Sequence, residues 1–191
     1  MQRHPRNPLI RPDQVIPSAP GYRVRGAFNP AAIRFGDEVL LLLRVAEDCP
    51  AREGHAAVPV ARIEAGVGRP EILDLSLDDP DVRLKDTRGI VYRGVDYLST
   101  MSHIRIARSR NGVNFQVDDA PFIFPGDASE CFGVEDARVT RFGDTFAINY
   151  TCVSPDGWGT ALPTTRDFRT TERRGLISVS YTHLTLPTTC T

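Results

Sequence analysis

The chain has 191 residues, 41% of them apolar and 25% charged, the values of a folded globular domain rather than a disordered segment. Its 23 basic and 24 acidic side chains leave a formal charge of -1, which excludes a general electrostatic grip on nucleic acid or on an anionic membrane. The longest apolar run, residues 39–43, is far short of the roughly 20 residues a membrane-spanning helix needs, and residues 1–6 lead into no apolar signal segment, so a cytoplasmic protein is expected.

Residues 1–25 read as an N-terminal extension. From there, short β-rich segments alternate with turn signals, and no long stretch keeps a helical period. Ala31-Ala32-Ile33-Arg34 leads into Phe35-Gly36-Asp37-Glu38 and then the apolar run, the pattern of a hairpin. Residues 88–101 give a looser copy with Arg93-Gly94 at its turn. Residues 137–150 give a third, and the tetrapeptide Arg-Phe-Gly-Asp stands at both 34 and 141. Asp86-Thr87-Arg88 and Asp136-Ala137-Arg138 lie 50 positions apart, and residues 109–115 are echoed by Thr165-Arg166-Asp167-Phe168. Short strands repeating at about 50 residues are the signature of propeller blades, each of which packs against its neighbours. The expected fold is therefore an all-β, partial β-propeller over residues 26–177, with blades at 26–80, 81–125 and 130–177. One irregular β-sandwich is the alternative. Residues 178–191 contain no charged side chain apart from His183 and read as translated adaptor or vector sequence. They are expected to be a non-native tail, and the chain a fragment of a longer propeller.

The four cysteines are scattered and form no Cys-x-x-Cys pair, so neither a zinc site nor a disulfide scaffold is expected. No glycine-rich phosphate loop, His-Glu-x-x-His helix, Gly-x-Ser-x-Gly elbow or calcium loop is present. In a propeller the innermost strands line a common funnel, so two Asp-x-Arg elements would aim at one site. A carboxylate there can serve as a general acid, and an arginine can hold an anion. The same residues can equally be ion pairs tying blades together. Arg44 ends the apolar run, where it needs a partner or a bound anion unless it snorkels from an edge. Asn29 offers an amide to a sugar hydroxyl, or else initiates a turn before Pro30. His103 reads as a core or edge imidazole or as a base. Tyr97, Tyr150 and Trp158 either stack on a sugar or fill the core.

Several stretches together resemble the mannoside phosphorylases of glycoside hydrolase family 130. They are Gly26-Ala27-Phe28-Asn29-Pro30-Ala31, Leu41-Leu42-Leu43-Arg44-Val45, Asp79-Pro80-Asp81, Asp86-Thr87-Arg88 and Ser102-His103-Ile104-Arg105-Ile106-Ala107-Arg108-Ser109. Phe132-Gly133-Val134-Glu135-Asp136-Ala137-Arg138-Val139-Thr140, Asn149-Tyr150-Thr151, Ser154-Pro155-Asp156-Gly157 and Thr164-Thr165-Arg166-Asp167-Phe168 complete the set. The resemblance runs from about residue 6 to 177 and is nearest to the branch acting on β-linked manno-oligosaccharides. It implies a five-bladed propeller and an inverting phosphorolysis, in which inorganic phosphate attacks a terminal mannose and releases mannose 1-phosphate. Phosphate is already a nucleophile and needs only positioning, so one acid suffices where an inverting hydrolase needs two carboxylates. In this family a single aspartate relays its proton through a sugar hydroxyl.

Carried over, the resemblance makes Asp86 the general acid, with Asp136 the competing assignment. It makes Arg138 a phosphate ligand and sets Asn29, Arg44, Arg88 and His103 around the substrate. It implies no cofactor, inorganic phosphate as co-substrate, a manno-oligosaccharide as partner, and no nucleic acid or membrane; a homo-oligomer is compatible with it. The linkage is left open. A β-mannosidase, which would need a second carboxylate, and a non-catalytic carbohydrate-binding propeller are the competing functions. Three blades alone leave an incomplete pocket, so the 191-residue chain is expected to be poorly stable and inactive.

Overall fold

The computed structural model describes residues 4–86 and 89–179. Apart from 3-10 turns at Pro12–Gln14 and Ala128–Glu130, the regular elements among them are all strands. β1 (Arg23–Phe35) and β2 (Glu38–Asp48) form a hairpin, followed by the hairpin β3 (His55–Glu64) and β4 (Val67–Ser76). Three short strands come next: β5 (Val82–Asp86), β6 (Gly89–Tyr92) and β7 (Val95–Leu98). β8 (Met101–Ser109) and the two-residue β9 (Gln116–Val117) precede a final meander of β10 (Gly133–Phe142), β11 (Thr145–Ser154), β12 (Gly157–Thr165) and β13 (Glu172–Val179). The repeated turns fall where the sequence places them, with Gly36 and Gly143 at φ 60° and 57° heading the turns of equivalent hairpins.

The residues sort into four antiparallel groups: β1-β2-β8-β9, β3-β4, β5-β6-β7 and β10-β11-β12-β13. A single parallel pair, Gly133 with Ser102, joins the first group to the last. The span expected of the third blade holds the β10–β13 group, whereas the spans expected of the first two do not each hold one sheet. β8 does not finish a sheet with β5–β7 but pairs along nine positions with β2, so the blade boundary near residue 80 is corrected. The reason lies in burial. β2 and β8 are the strands most completely buried on both faces, and a strand of that kind is central in its sheet. The four-residue β7 offers too short an edge to hold nine positions of β8. Among the described residues the sheets do not close into a ring.

The main core lies between the first and last groups. Leu40, Leu42, Ile104 and Ile106 pack there with Val134, Ala137, Phe146, Ile148 and Phe168. Burying each large aliphatic side chain contributes about 1.5–3 kcal/mol. Gly133 sets how closely β10 approaches β8. Its φ is +131°, and a Cβ there would lie 2.7 Å from the Ser102 backbone nitrogen, so only glycine fits. The segment before β1 is part of the packed structure. Val15 and Tyr22 are buried, and the Tyr22 hydroxyl donates to the Glu71 carbonyl at 2.8 Å. Of the tail expected from residue 178, residues 180–191 lie outside the described ones.

Candidate functional site

The site is built from two matching irregularities. β1 and β10 each carry a one-residue bulge against their hairpin partner, between Phe28 and Ala31 in one and between Glu135 and Arg138 in the other. Each bulge holds a non-glycine residue in the left-handed region, Asn29 at φ 48° and Asp136 at φ 50°. Asn and Asp tolerate that conformation better than other side chains do. Both stand seven residues before the first residue of the following turn, Gly36 and Gly143. The two bulged side chains meet. The Asn29 amide nitrogen donates to both carboxylate oxygens of Asp136 at 3.2 Å.

Arg44 completes the cluster from β2. Its Nε donates to Ser102 Oγ at 3.1 Å, Nη1 to Asp136 Oδ1 at 3.2 Å and Nη2 to Glu135 Oε1 at 2.6 Å. The Phe28 ring covers the guanidinium at 4.9 Å, a cation–π contact. That ring folds back over Gly26, where a Cβ would come within 2.5 Å of it. The partner that Arg44 requires is therefore supplied internally, by two carboxylates and a hydroxyl. A guanidinium has five N–H groups, of which these bonds use three. One on each terminal nitrogen remains uncommitted among the described residues. Burial pushes the Glu135 carboxyl above its ordinary value; Arg44 opposes the push and Asp136 adds to it. One cation facing two carboxylates makes this a place for hydroxyl groups rather than, by itself, for an anion. Among the described residues no group of His, Cys, Asp and Glu is spaced to hold a metal ion.

Of the residues singled out in the sequence, the structure brings Asn29, Arg44 and Asp136 together. Arg138 is next to them in the strand and exposed, and it folds back on its own backbone, with Nη1 donating to the carbonyls of Ala137 at 2.7 Å and Asp136 at 3.4 Å. Asp86 ends β5 with Gly89 as its strand partner, just after a register shift between Leu84 and Asp86, whereas Asp136 lies within β10. The Asp86 side chain, Thr87 and Arg88 lie outside the described residues. His103 is placed elsewhere. Its strand partner is Val45, one position from Arg44, so it occupies the opposite face of the sheet and is fully buried there. Its Nε2 stands 3.3 Å from Glu47 Oε2, without the angle of a hydrogen bond. Full burial holds the ring below the usual imidazole range. The expectation that His103 touches substrate is thus corrected, because no surface reaches it.

Sequence reasoning missed Glu135, Ser102 and Phe28. Strict alternation sends Glu135 and Asp136 to opposite faces, and nothing in composition announces a bulge. The available signal was the recurring Asn or Asp seven residues before each hairpin turn. Of the three aromatics, Tyr97 packs on Phe132, Tyr150 is buried against Glu130, and Trp158 is exposed on β12.

A family model described as beta-1,4-mannooligosaccharide phosphorylase matches residues 81–189. A beta-1,2-mannobiose phosphorylase from Listeria innocua is 42% identical over 179 residues, covering 92% of this chain and 50% of that enzyme. The structure of a beta-1,2-mannobiose phosphorylase from Listeria innocua in complex with beta-1,2-mannobiose superposes with a TM-score of 0.81 at 41% identity, over 93% of this chain and 51% of that one. A glycosyl hydrolase from Bacteroides ovatus, 18% identical, shares the fold at a TM-score of 0.51 over 78% of this chain and 31% of its own. The chain thus spans about half the length of the relative it matches.

Proposed function

Because the chain belongs to glycoside hydrolase family 130, whose propellers are five-bladed, we propose that it supplies the sugar-binding part of an inverting phosphorylase of β-mannosides, with β-1,2-mannobiose the first substrate to try. The observation that carries this reading is the Asn29–Asp136–Arg44–Glu135 cluster, in which hydrogen-bonding groups from β1, β2 and β10 converge. The free N–H groups of Arg44 and the remaining lone pairs of Asp136 suit the hydroxyls of a terminal mannose.

Asp136 is engaged by both Arg44 and Asn29, so the acid role goes to Asp86, at the same spacing before its own turn. Its proton reaches the leaving oxygen through a sugar hydroxyl. Inorganic phosphate enters as co-substrate with no cofactor, and Arg138 and Arg88 neutralise it. Arg138 must then release its backbone carbonyls, since Arg44 is already matched by carboxylates. Holding the two reactants in line supplies most of the acceleration. The same reading sets the reaction in the cytoplasm, where the free thiols of Cys49, Cys131 and Cys152 stay reduced.

Product analysis tests this. The protein extended to the length of its relatives should convert β-1,2-mannobiose to mannose 1-phosphate only when phosphate is added. Free mannose appearing at the same rate without phosphate would overturn the proposal in favour of hydrolysis. Asp86→Asn should lower turnover by roughly 10²–10⁴-fold.

A further inference from the structure

We propose that Glu135 is a positioning residue, whose carboxylate holds one terminal nitrogen of Arg44 so that the guanidinium meets sugar hydroxyls in one fixed plane. The inference rests on the sugar-binding reading of this site.

The bulge is the first support. In a regular strand adjacent side chains leave on opposite faces, and only one of Glu135 and Asp136 would reach Arg44. The left-handed backbone at Asp136 turns both onto the same guanidinium. Such a backbone at a non-glycine residue is strained and is retained where the surroundings enforce it.

The division of labour is the second. Asp136 is shared between Arg44 and Asn29, with contacts at 3.2 Å. Glu135 gives Arg44 the shortest of its three bonds, at 2.6 Å, and among the described residues it has no other hydrogen-bond partner. Short charge-assisted bonds are the strong ones. Removing Glu135 leaves Arg44 with its two longer contacts and the Phe28 ring.

Burial is the third. Only about a fifth of the Glu135 side chain is exposed (21%), and burial resists its ionisation. A carboxylate kept there for one partner adds little to folding, and its use lies in where it holds that partner.

The test is side-chain NMR on the protein extended to the length of its relatives, with β-1,2-mannobiose as the probe. In the wild-type chain the Arg44 terminal N–H groups should give separate lines, because rotation about their C–N bonds is slow. In Glu135→Ala those lines should merge and the mannobiose Kd rise by about tenfold or more. Glu135→Gln, which keeps an acceptor in the same place, should restore part of both, and its near-identical shape covers the case in which the alanine variant does not fold. Unchanged Arg44 lines in Glu135→Ala, with a native backbone spectrum, overturn the inference whatever the sugar does. An Arg44→Lys chain that binds mannobiose as tightly as wild type overturns the reading of the site instead.

Discussion

The same two strands carry two polar clusters, one on each face, and the clusters behave differently. On the front of β2 and β8 stand Arg44 and Ser102, joined by Glu135 and Asp136 from β10. On the back stand Glu47, His103 and Arg105, each fully buried. The back cluster is closed off by the N-terminal segment. Ser18 gives both its backbone N–H and its hydroxyl to Glu47, and Arg105 donates to the carbonyls of Asp118 and Asp119 at 3.1 and 2.7 Å. The front cluster is partly open, with the Asp136 side chain 35% exposed and two guanidinium N–H groups to spare. A buried polar group is therefore not in itself the mark of a site. Spare hydrogen-bonding capacity next to an opening is, and the front face has it.

The difference can be broken most forcefully from the back. Glu47→Ala strips Ser18 of both acceptors and takes from Arg105 the carboxylate that most favours its charge, the situation in which removing one partner of a buried polar set costs about 3–5 kcal/mol. Denaturant unfolding should show that loss, while mannobiose affinity of the folded fraction stays as it was. A weakened affinity with unchanged stability would mean the back face serves the site after all.

Gly133→Ala comes next. It attacks the strand pairing that, among the described residues, joins the two groups, and should cost about 2–3 kcal/mol, because the new Cβ meets Ser102 backbone atoms at 2.7 and 3.0 Å. Ser102 also holds Arg44 Nε, so sugar affinity should fall together with the melting temperature. An unchanged melting temperature would show that β10 can withdraw from β8 at no cost.

A smaller effect sharpens the contrast within the front cluster. Asp136→Ala and Asp136→Asn both remove the charge facing Arg44, but only asparagine tolerates the left-handed backbone comparably. The alanine variant should be about 1 kcal/mol less stable than the asparagine variant. Equal stabilities would show that the bulge relaxes once the carboxylate is gone.

How much of this was legible in the sequence depends on the range of the interaction. The turns at Gly36 and Gly143 are local, and the repeated Arg-Phe-Gly-Asp placed them. Asn29 and Arg44 stood out because each interrupts a pattern, an amide before proline and a charge after an apolar run, and Asp136 because its Asp-x-Arg element repeats that at Asp86. The pairing of β2 with β8 was hidden because it joins residues about 60 positions apart, while β8 carries Ser102, His103 and Arg105 within a buried strand. His103 was misplaced for the same reason, since which face it occupies follows from that register. Glu135 was invisible because a bulge changes which face a residue takes without changing its composition.

The smallest effect concerns Glu135 itself and stability alone. Its folded-state carboxyl is held above the ordinary value by burial, so the folded chain keeps that proton to a higher pH than the unfolded chain does. Below the ordinary carboxylate range both states are protonated and the group contributes no difference. As pH rises through the raised value the folded state loses stability relative to the unfolded one, and at neutral pH the ionised carboxylate is a net cost. Glu135→Gln carries no such ionisation. It should match wild type near pH 3 and equal or exceed it at pH 7, by less than about 1 kcal/mol. Melting curves at the two pH values would read this directly. A glutamine variant that is distinctly less stable at pH 7 would mean that the ion pair with Arg44 outweighs burial, and the front cluster would then hold the fold together as the back cluster does.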